Sequence, residues 1–178
     1  GALLCVAGIL GGVFAGFISD HVFGSRRGPV ASVLYGGLLV GIGVAIGLLG
    51  GPAIGWAFIF MSLCVIGVHG MLSGTASADF GGKKNAGIAT GVIDGFVYLG
   101  TATQAFVYGG WGDEKNRLFD GLLPRKEVTK DPAQWRTWLI AMVPVAVVGL
   151  VLATRVWNAK PKAAAAPVIP PGPPGGAG

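Results

Sequence analysis

Long stretches without a single formal charge govern what this chain can fold into. From Gly28 through Ala78 there is no Asp, Glu, Lys or Arg; from Asn85 through Gly112 there is only Asp94; from Thr137 through Thr154, and across the first nineteen residues, there is none. A soluble domain covers its core with charge, roughly a quarter of its residues. Here charged residues are 12% and hydrophobic ones 52%. Disorder is excluded too, because it needs high charge and little hydrophobicity. Two cysteines cannot staple a chain of 178 residues. A lipid bilayer is the solvent in which an outside as apolar as the inside is stable.

A spanning helix takes about 20 apolar residues. The charge-free stretches therefore read as five spans at about 1–19, 29–49, 53–78, 86–110 and 135–157, an all-α integral membrane region over residues 1–158. Pro29 suits a first helical turn, where its missing N–H would be unpaired anyway. Gly50-Gly51-Pro52 breaks the second run. Residues 111–134 form a polar loop, and the Pro/Ala/Gly-rich tail, 159–178, has no pattern that could bury a face, so disorder is expected there. The first stretch starts without Met and is barely long enough to cross, which reads as a helix cut near its start and the chain as a fragment. A signal peptide fits less well, since no basic region precedes the run and no small-x-small site follows it.

Five spans place the 20–28 loop, the 79–85 loop and the tail on one side, and Gly50-Gly51-Pro52 with the 111–134 loop on the other. The first side carries Arg26, Arg27, Lys83, Lys84, Arg155, Lys160 and Lys162; the second carries Lys115, Arg117, Arg125, Lys126, Lys130 and Arg136. Counts that close decide little, but Arg26-Arg27 and Lys83-Lys84 crowd at helix ends, which favours the first side, with the C-terminal tail, as cytoplasmic. Glycines recur every four residues at Gly8/Gly12/Gly16, Gly37/Gly41, Gly43/Gly47, Gly70/Gly74 and Gly87/Gly91/Gly95. Small residues at that spacing let helix backbones approach closely.

Polar groups inside a membrane are expensive and need a partner or a wet cavity. The third span carries His69, Ser73, Thr75 and Ser77, and the fourth carries Thr90, Asp94, Tyr98, Thr101, Thr103 and Gln104. Asp94, Tyr98 and Thr101 are spaced by four and three and share one face, which Gln104 extends. The second and fifth spans are nearly bare of such groups. Spans three and four are therefore expected to line something wet, and spans two and five to face lipid. Asp94 reads either as a cavity carboxylate that pairs with a cation or carries a proton, or as a packing carboxylate bonded to a neighbouring helix. His69 reads as a histidine bonded within the bundle, with a proton relay as the alternative. Tyr98 on spacing alone packs. Cys5 and Cys64 lie in apolar spans without a CxxC, so packing is the expectation and neither metal nor cofactor is implied. There is no GxxxxGK[ST], HExxH or GxSxG. The net charge of +5 reflects helix-end anchors and the loop; no basic run has interleaved aromatics, so nucleic acid is not an expected partner. One embedded acid and one histidine supply no paired carboxylates or metal set, which argues against an enzyme.

The run Gly16-Phe-Ile-Ser-Asp20-His-Val-Phe-Gly24-Ser-Arg26-Arg27-Gly28-Pro29 resembles the cytoplasmic loop signature of the major facilitator superfamily: a glycine, an Asp, then a glycine with paired basic residues between two spans. An extra residue separates Asp20 from Gly24, a spacing similar to that of the organophosphate:phosphate antiporter branch. Gly70-Met-Leu-Ser-Gly74 through Asp79, Lys83-Lys84, Gly87, Thr90-Gly91 and Asp94-Gly95-Phe-Val-Tyr98-Leu-Gly100 resembles the same branch. The resemblance covers nearly all of residues 1–157 and implies helices 8 to 12 of a twelve-helix transporter, with helices 1–7 missing.

What it implies is secondary active transport of an organic phosphate, glycerol-3-phosphate or a sugar phosphate, in exchange for inorganic phosphate. Two halves would rock about a central site in the cell (inner) membrane. The phosphate-holding arginines of relatives lie on the first and seventh helices, outside this chain. Within it, Gly16, Asp20, Gly24, Arg26 and Arg27 would form a gating loop in which Arg26 or Arg27 pairs with Asp20, and Lys83 and Lys84 would act as cytoplasmic anchors. Tyr98 matches a cavity tyrosine, and Asp94, Thr101, Gln104, His69 and Ser73 would complete the lining. The chain departs from the pattern where Gly67 or Val68 replaces a tyrosine of some relatives and Asp94 replaces a small residue. An acid near a phosphate path needs a cation partner or a proton. The competing expectation is a proton-coupled facilitator of another solute, with Asp94 or His69 carrying the proton.

Overall fold

The computed structural model describes residues 1–109 and 132–160, and every regular element among them is helical. Most of the expected 111–134 loop, and the expected tail from residue 161 on, lie outside the described residues. The helices are α1 Ala2–His21, α2 Arg27–Gly47, α3 Ile54–Gly70, α4 Ser77–Gly109 and α5 Arg136–Arg155. A π-helical turn, Met71–Ala76, joins α3 to α4 without a gap, and a 3-10 turn, Pro132–Trp135, leads into α5.

Among the described residues, four segments are long and apolar enough to cross a membrane: Ala2–His21, Arg27–Gly47, Ile54–Gly82 and Arg136–Arg155. The remainder of α4 is helical but less apolar, because its sequence carries Lys83, Lys84, Asp94 and several hydroxyls. α4 is two helices joined at Gly82, where φ is +67° and ψ 169°. That backbone conformation strains any residue with a Cβ, so glycine is what allows the sharp reversal.

α1 packs mainly on α3, and α2 packs on α3 and α5. Lipid tails are as apolar as leucine, so close fit rather than expulsion of water holds such helices together. The fit is made by glycine. A Cβ at Gly11 would overlap the Leu63 carbonyl, one at Gly8 would strike Ile66, and one at Gly67 would crowd the Gly11 carbonyl. Gly41 meets Met61 and Phe60, and Gly149 makes room for the Tyr35 ring. The four-residue repeats are thus only partly used: α1 presents Gly8 and Gly11 to α3, while Gly16, Gly43, Gly47, Gly74, Gly87, Gly91 and Gly95 face open space. Two buried clusters result. One joins Leu38, Ile42 and Ala45 to Ala57, Met61, Cys64, Leu139 and Ala146; the other gathers Ala15, Val30, Ala31, Met71 and Ala153. Gly28 abuts the backbone of Val156 and Trp157, and Gly50 lies beside Pro132, so the connections collect at two opposite ends of the bundle.

Candidate functional site: a charge clasp and a polar helix face

The first feature sits where α1 turns into α2. Gly24 (φ +56°) and Ser25 (φ +61°) are both left-handed, which tightens the turn. For a serine this costs about 1 kcal/mol, and its hydroxyl offsets part of it by donating to Asp20 Oδ1 at 3.0 Å. Ser19 Oγ donates to the Arg26 carbonyl at 3.0 Å, fixing the same turn. Arg27, the first residue of α2, is thereby aimed back at α1. Its Nη1 reaches Asp20 Oδ1 at 2.7 Å, while Nε and Nη2 each reach Asp79 Oδ2 at 2.8 Å. The Arg27 side chain is 8% exposed, against 46% for Asp20 and 22% for Asp79. A planar guanidinium spreads its donors over a rigid fork and can reach two carboxylates from different sides, where an ammonium offers one compact point charge.

Of the two candidate arginines, then, Arg27 pairs with Asp20, and Arg26 instead donates from Nε to the Phe23 carbonyl at 2.9 Å. Asp79 is the member that sequence reading missed, although it is the one acid at the far end of the third span on the same side. Gly16 is half-buried with open space where a Cβ would lie. Lys84 is exposed, and the side chain of Lys83 lies outside the described features.

The second feature lies where the π turn meets α4. The Ser73 carbonyl accepts from Ser77 Oγ and, at 2.8 Å, from Thr90 Oγ1; the two hydroxyls are themselves 2.8 Å apart. Thr90 thus ties the helix beyond Gly82 back to the π turn, its main packing partner among the described elements. The Ser73 hydroxyl donates to the His69 carbonyl at 2.9 Å and so is spent within its own helix.

One turn further along α4, Asp94 faces His69 of α3, with Oδ1 4.0 Å from Nε2. That is an ion-pair distance when the imidazole is charged and too long for a hydrogen bond. Asp94 Oδ1 and His69 Nδ1 are sealed from solvent without hydrogen-bond partners. The side chains as wholes are 38% and 42% exposed. Tyr98 is 74% exposed, and Thr101 and Gln104 are exposed on the same helix. The Thr101 hydroxyl donates to the Val97 carbonyl at 3.0 Å. The structure therefore brings Asp94 and His69 together, seats Ser73 against Thr90 rather than Asp94, and leaves Tyr98, Thr101 and Gln104 on a face that is exposed, like every residue of α4 from Gly95 through Val107. The cleft between α2, the π turn and α5, lined by Arg27, Tyr35, Leu72, Phe80 and Leu152, is almost wholly apolar and lies apart from this face.

Known proteins similar to this chain include two named for phosphate-ester transport. The chain is 29% identical over 163 residues to the "Probable hexose phosphate transport protein" of Chlamydia trachomatis, a match covering 89% of the chain and 31% of that protein. It is 27% identical over 154 residues to the glycerol-3-phosphate transporter of Bacillus subtilis, covering 85% of the chain and 31% of the transporter. Over most of its length, then, the chain is similar to two proteins named for the transport of phosphate esters. It is also 32% identical over 102 residues to the membrane sensor protein UhpC of Escherichia coli, covering 54% of the chain and 22% of the sensor. No protein-family model and no solved structure matches the chain. The chain spans about a third of the length of the organophosphate transporters it resembles. Its membrane-length helices agree with their being membrane proteins, and these relatives are named as transporters rather than enzymes.

Proposed function

We propose that this chain forms the last five helices of a transporter that exchanges a sugar phosphate or glycerol-3-phosphate for inorganic phosphate across the cell (inner) membrane. The observation that carries the reading is the similarity to two named phosphate-ester transporters over more than four-fifths of the chain. The missing seven helices would supply the phosphate-binding arginines and the other half of the cavity. Tyr98, Asp94, Thr101, Gln104 and His69 would face that cavity, with Ser73 at its edge. The Asp20–Arg27–Asp79 cluster would hold the cytoplasmic ends of α1, α2 and α4 together in one state and release them in the other, as two halves rock about the site. Residues 20–28, 79–85 and the C-terminal tail would lie in the cytoplasm.

The test is exchange. The complete protein, reconstituted in liposomes loaded with inorganic phosphate, takes up a labelled sugar phosphate or glycerol-3-phosphate without a pH gradient, and empty liposomes show no uptake. Uptake that ignores internal phosphate and demands a proton gradient supports the second reading, a proton-coupled carrier of another solute. The close approach of His69 and Asp94 favours that reading, because a shared proton would close their 4.0 Å gap.

A further inference from the structure

The cleft between α2, the π turn and α5 has no role in carrying a polar solute, because its walls are almost wholly apolar. It holds about 530 Å³ and is lined by Ala31, Tyr35, Leu72, Phe80, Leu152 and, at the clasp end, Arg155. It runs from Arg27 to Tyr35 along α2 and from Arg155 back to Gly149 along α5. At a rise of 1.5 Å per residue that is a depth of about 10 Å. A hydrocarbon core is about 30 Å thick, so the cleft enters about a third of it.

Dimensions and chemistry limit what fills such a space. Water does not stay in an apolar cavity. An extended stretch of polypeptide would bring unpaired amides into it. Another helix is too thick: the volume spread over that depth gives a cross-section of about 50 Å², against about 80 Å² for a helix 10 Å across. Hydrocarbon chains are narrow, flexible and free of polar groups, and they are the solvent on the outer side of these helices.

The rim selects the head of that molecule. Arg155 closes α5, and Lys160 follows Ala159, which also lines the cleft. Neither side chain has a hydrogen bond or ion pair among the described residues. The clasp nearby sets two carboxylates against the one guanidinium of Arg27, an excess of one negative charge; Arg155 and Lys160 add two positive ones and leave the rim net positive. Trp157, 40% exposed, lies between them in sequence, and such rings settle at the headgroup level of a bilayer. Basic pockets between membrane helices hold anionic headgroups.

We infer that this cleft binds an anionic phospholipid, with an acyl chain against Ala31, Tyr35 and Leu152 and the phosphate beside Arg155 and Lys160. The lipid fills the gap between α2 and α5 next to the Arg27 clasp. The site stands whatever solute the complete protein carries.

The experiment strips the complete protein of lipid in detergent and titrates it with phosphatidylglycerol or with phosphatidylcholine of the same acyl chains. Bound lipid is counted by native mass spectrometry. Phosphatidylglycerol binds more tightly. Each basic residue near the surface is worth about a fivefold change in binding, so Arg155→Gln with Lys160→Gln weakens phosphatidylglycerol about 30-fold and leaves phosphatidylcholine unchanged. Arg155→Lys, which keeps the charge, keeps the preference. Leu152 is 62% exposed, so Leu152→Trp adds bulk in the cleft without moving the core, and it weakens both lipids. Glycerophosphoglycerol, the same headgroup without chains, does not displace phosphatidylglycerol at equal concentration. Equal affinity for the two lipids, or a preference that survives the double substitution, overturns the inference. So does displacement by the chainless headgroup, which would make the ligand a free anion. Wild-type binding in Leu152→Trp also overturns it, because the lipid would then sit elsewhere and a helix of the complete protein would cover the cleft. Arg155, Lys160 and Leu152 are all exposed, so these variants fold and every arm can be read.

Discussion

At the scale of single residues, Arg27 carries more than its neighbours. It is nearly buried and holds two carboxylates from two other helices, so truncating it leaves Asp20 and Asp79 facing each other with nothing between. Removing one partner of a buried pair costs about 3–5 kcal/mol. Because Asp20 is half-exposed, about 2 kcal/mol is expected for Arg27→Ala, read as a lowered unfolding temperature in detergent. Arg27→Lys recovers only part of it, since an ammonium cannot fork. Double-mutant cycles separate the arms: coupling of Arg27 to the more buried Asp79 exceeds coupling to Asp20. Arg26→Ala, which loses one contact to a carbonyl, costs less than either.

At the scale of elements, two contacts are decisive. The α1–α3 crossing depends on Gly11, where a Cβ meets the Leu63 backbone; Gly11→Ala should cost about 1–3 kcal/mol through overpacking. Gly43→Ala, in open space on α2, should change stability by less than about 0.5 kcal/mol. Thermal unfolding of the two variants side by side checks this. The π turn depends on Thr90: Thr90→Val removes the donor to Ser73 and costs about 1 kcal/mol, and Thr90→Ser restores it. α1, α2, α3 and α5 overlap the charge-free runs, because a bilayer enforces length and polarity with little tolerance, whereas the expected 79–85 loop is helix kinked at Gly82. The loop motif told that Asp20 would be paired, but the choice of Arg27 over Arg26 follows from the left-handed Gly24-Ser25 turn, which spacing does not encode. Nor did the glycine repeats say which glycines are used. Gly8 and Gly11 are three apart, and which of the three- or four-residue rows faces a neighbour is set by the crossing of two helices rather than by either sequence alone. That Asp94, Tyr98 and Thr101 share one helix face follows from their spacing; the approach of His69 to Asp94 does not, since it needs the reversal at Gly82 that lays the second half of α4 back against the π turn.

At the scale of the whole molecule, the connections gather at opposite ends, and topology can be checked directly. Single cysteines introduced at Ser25 and Lys84, in a background lacking Cys5 and Cys64, should react with an impermeant maleimide from the same side of sealed vesicles, and a cysteine at Gly51 from the other. Reaction of all three from one side would refute the crossing pattern. The segment between the π turn and Gly82 has a wider consequence. Asp79 lies within it, a few residues from Ser77 and Thr90's anchorage, so the grip on Arg27 and the tether on the second half of α4 share one short rod of backbone. A swing of that half of α4 would twist the rod and pull the carboxylate from the guanidinium, and a push on Asp94 would be felt at the Arg27 clasp without any other linkage.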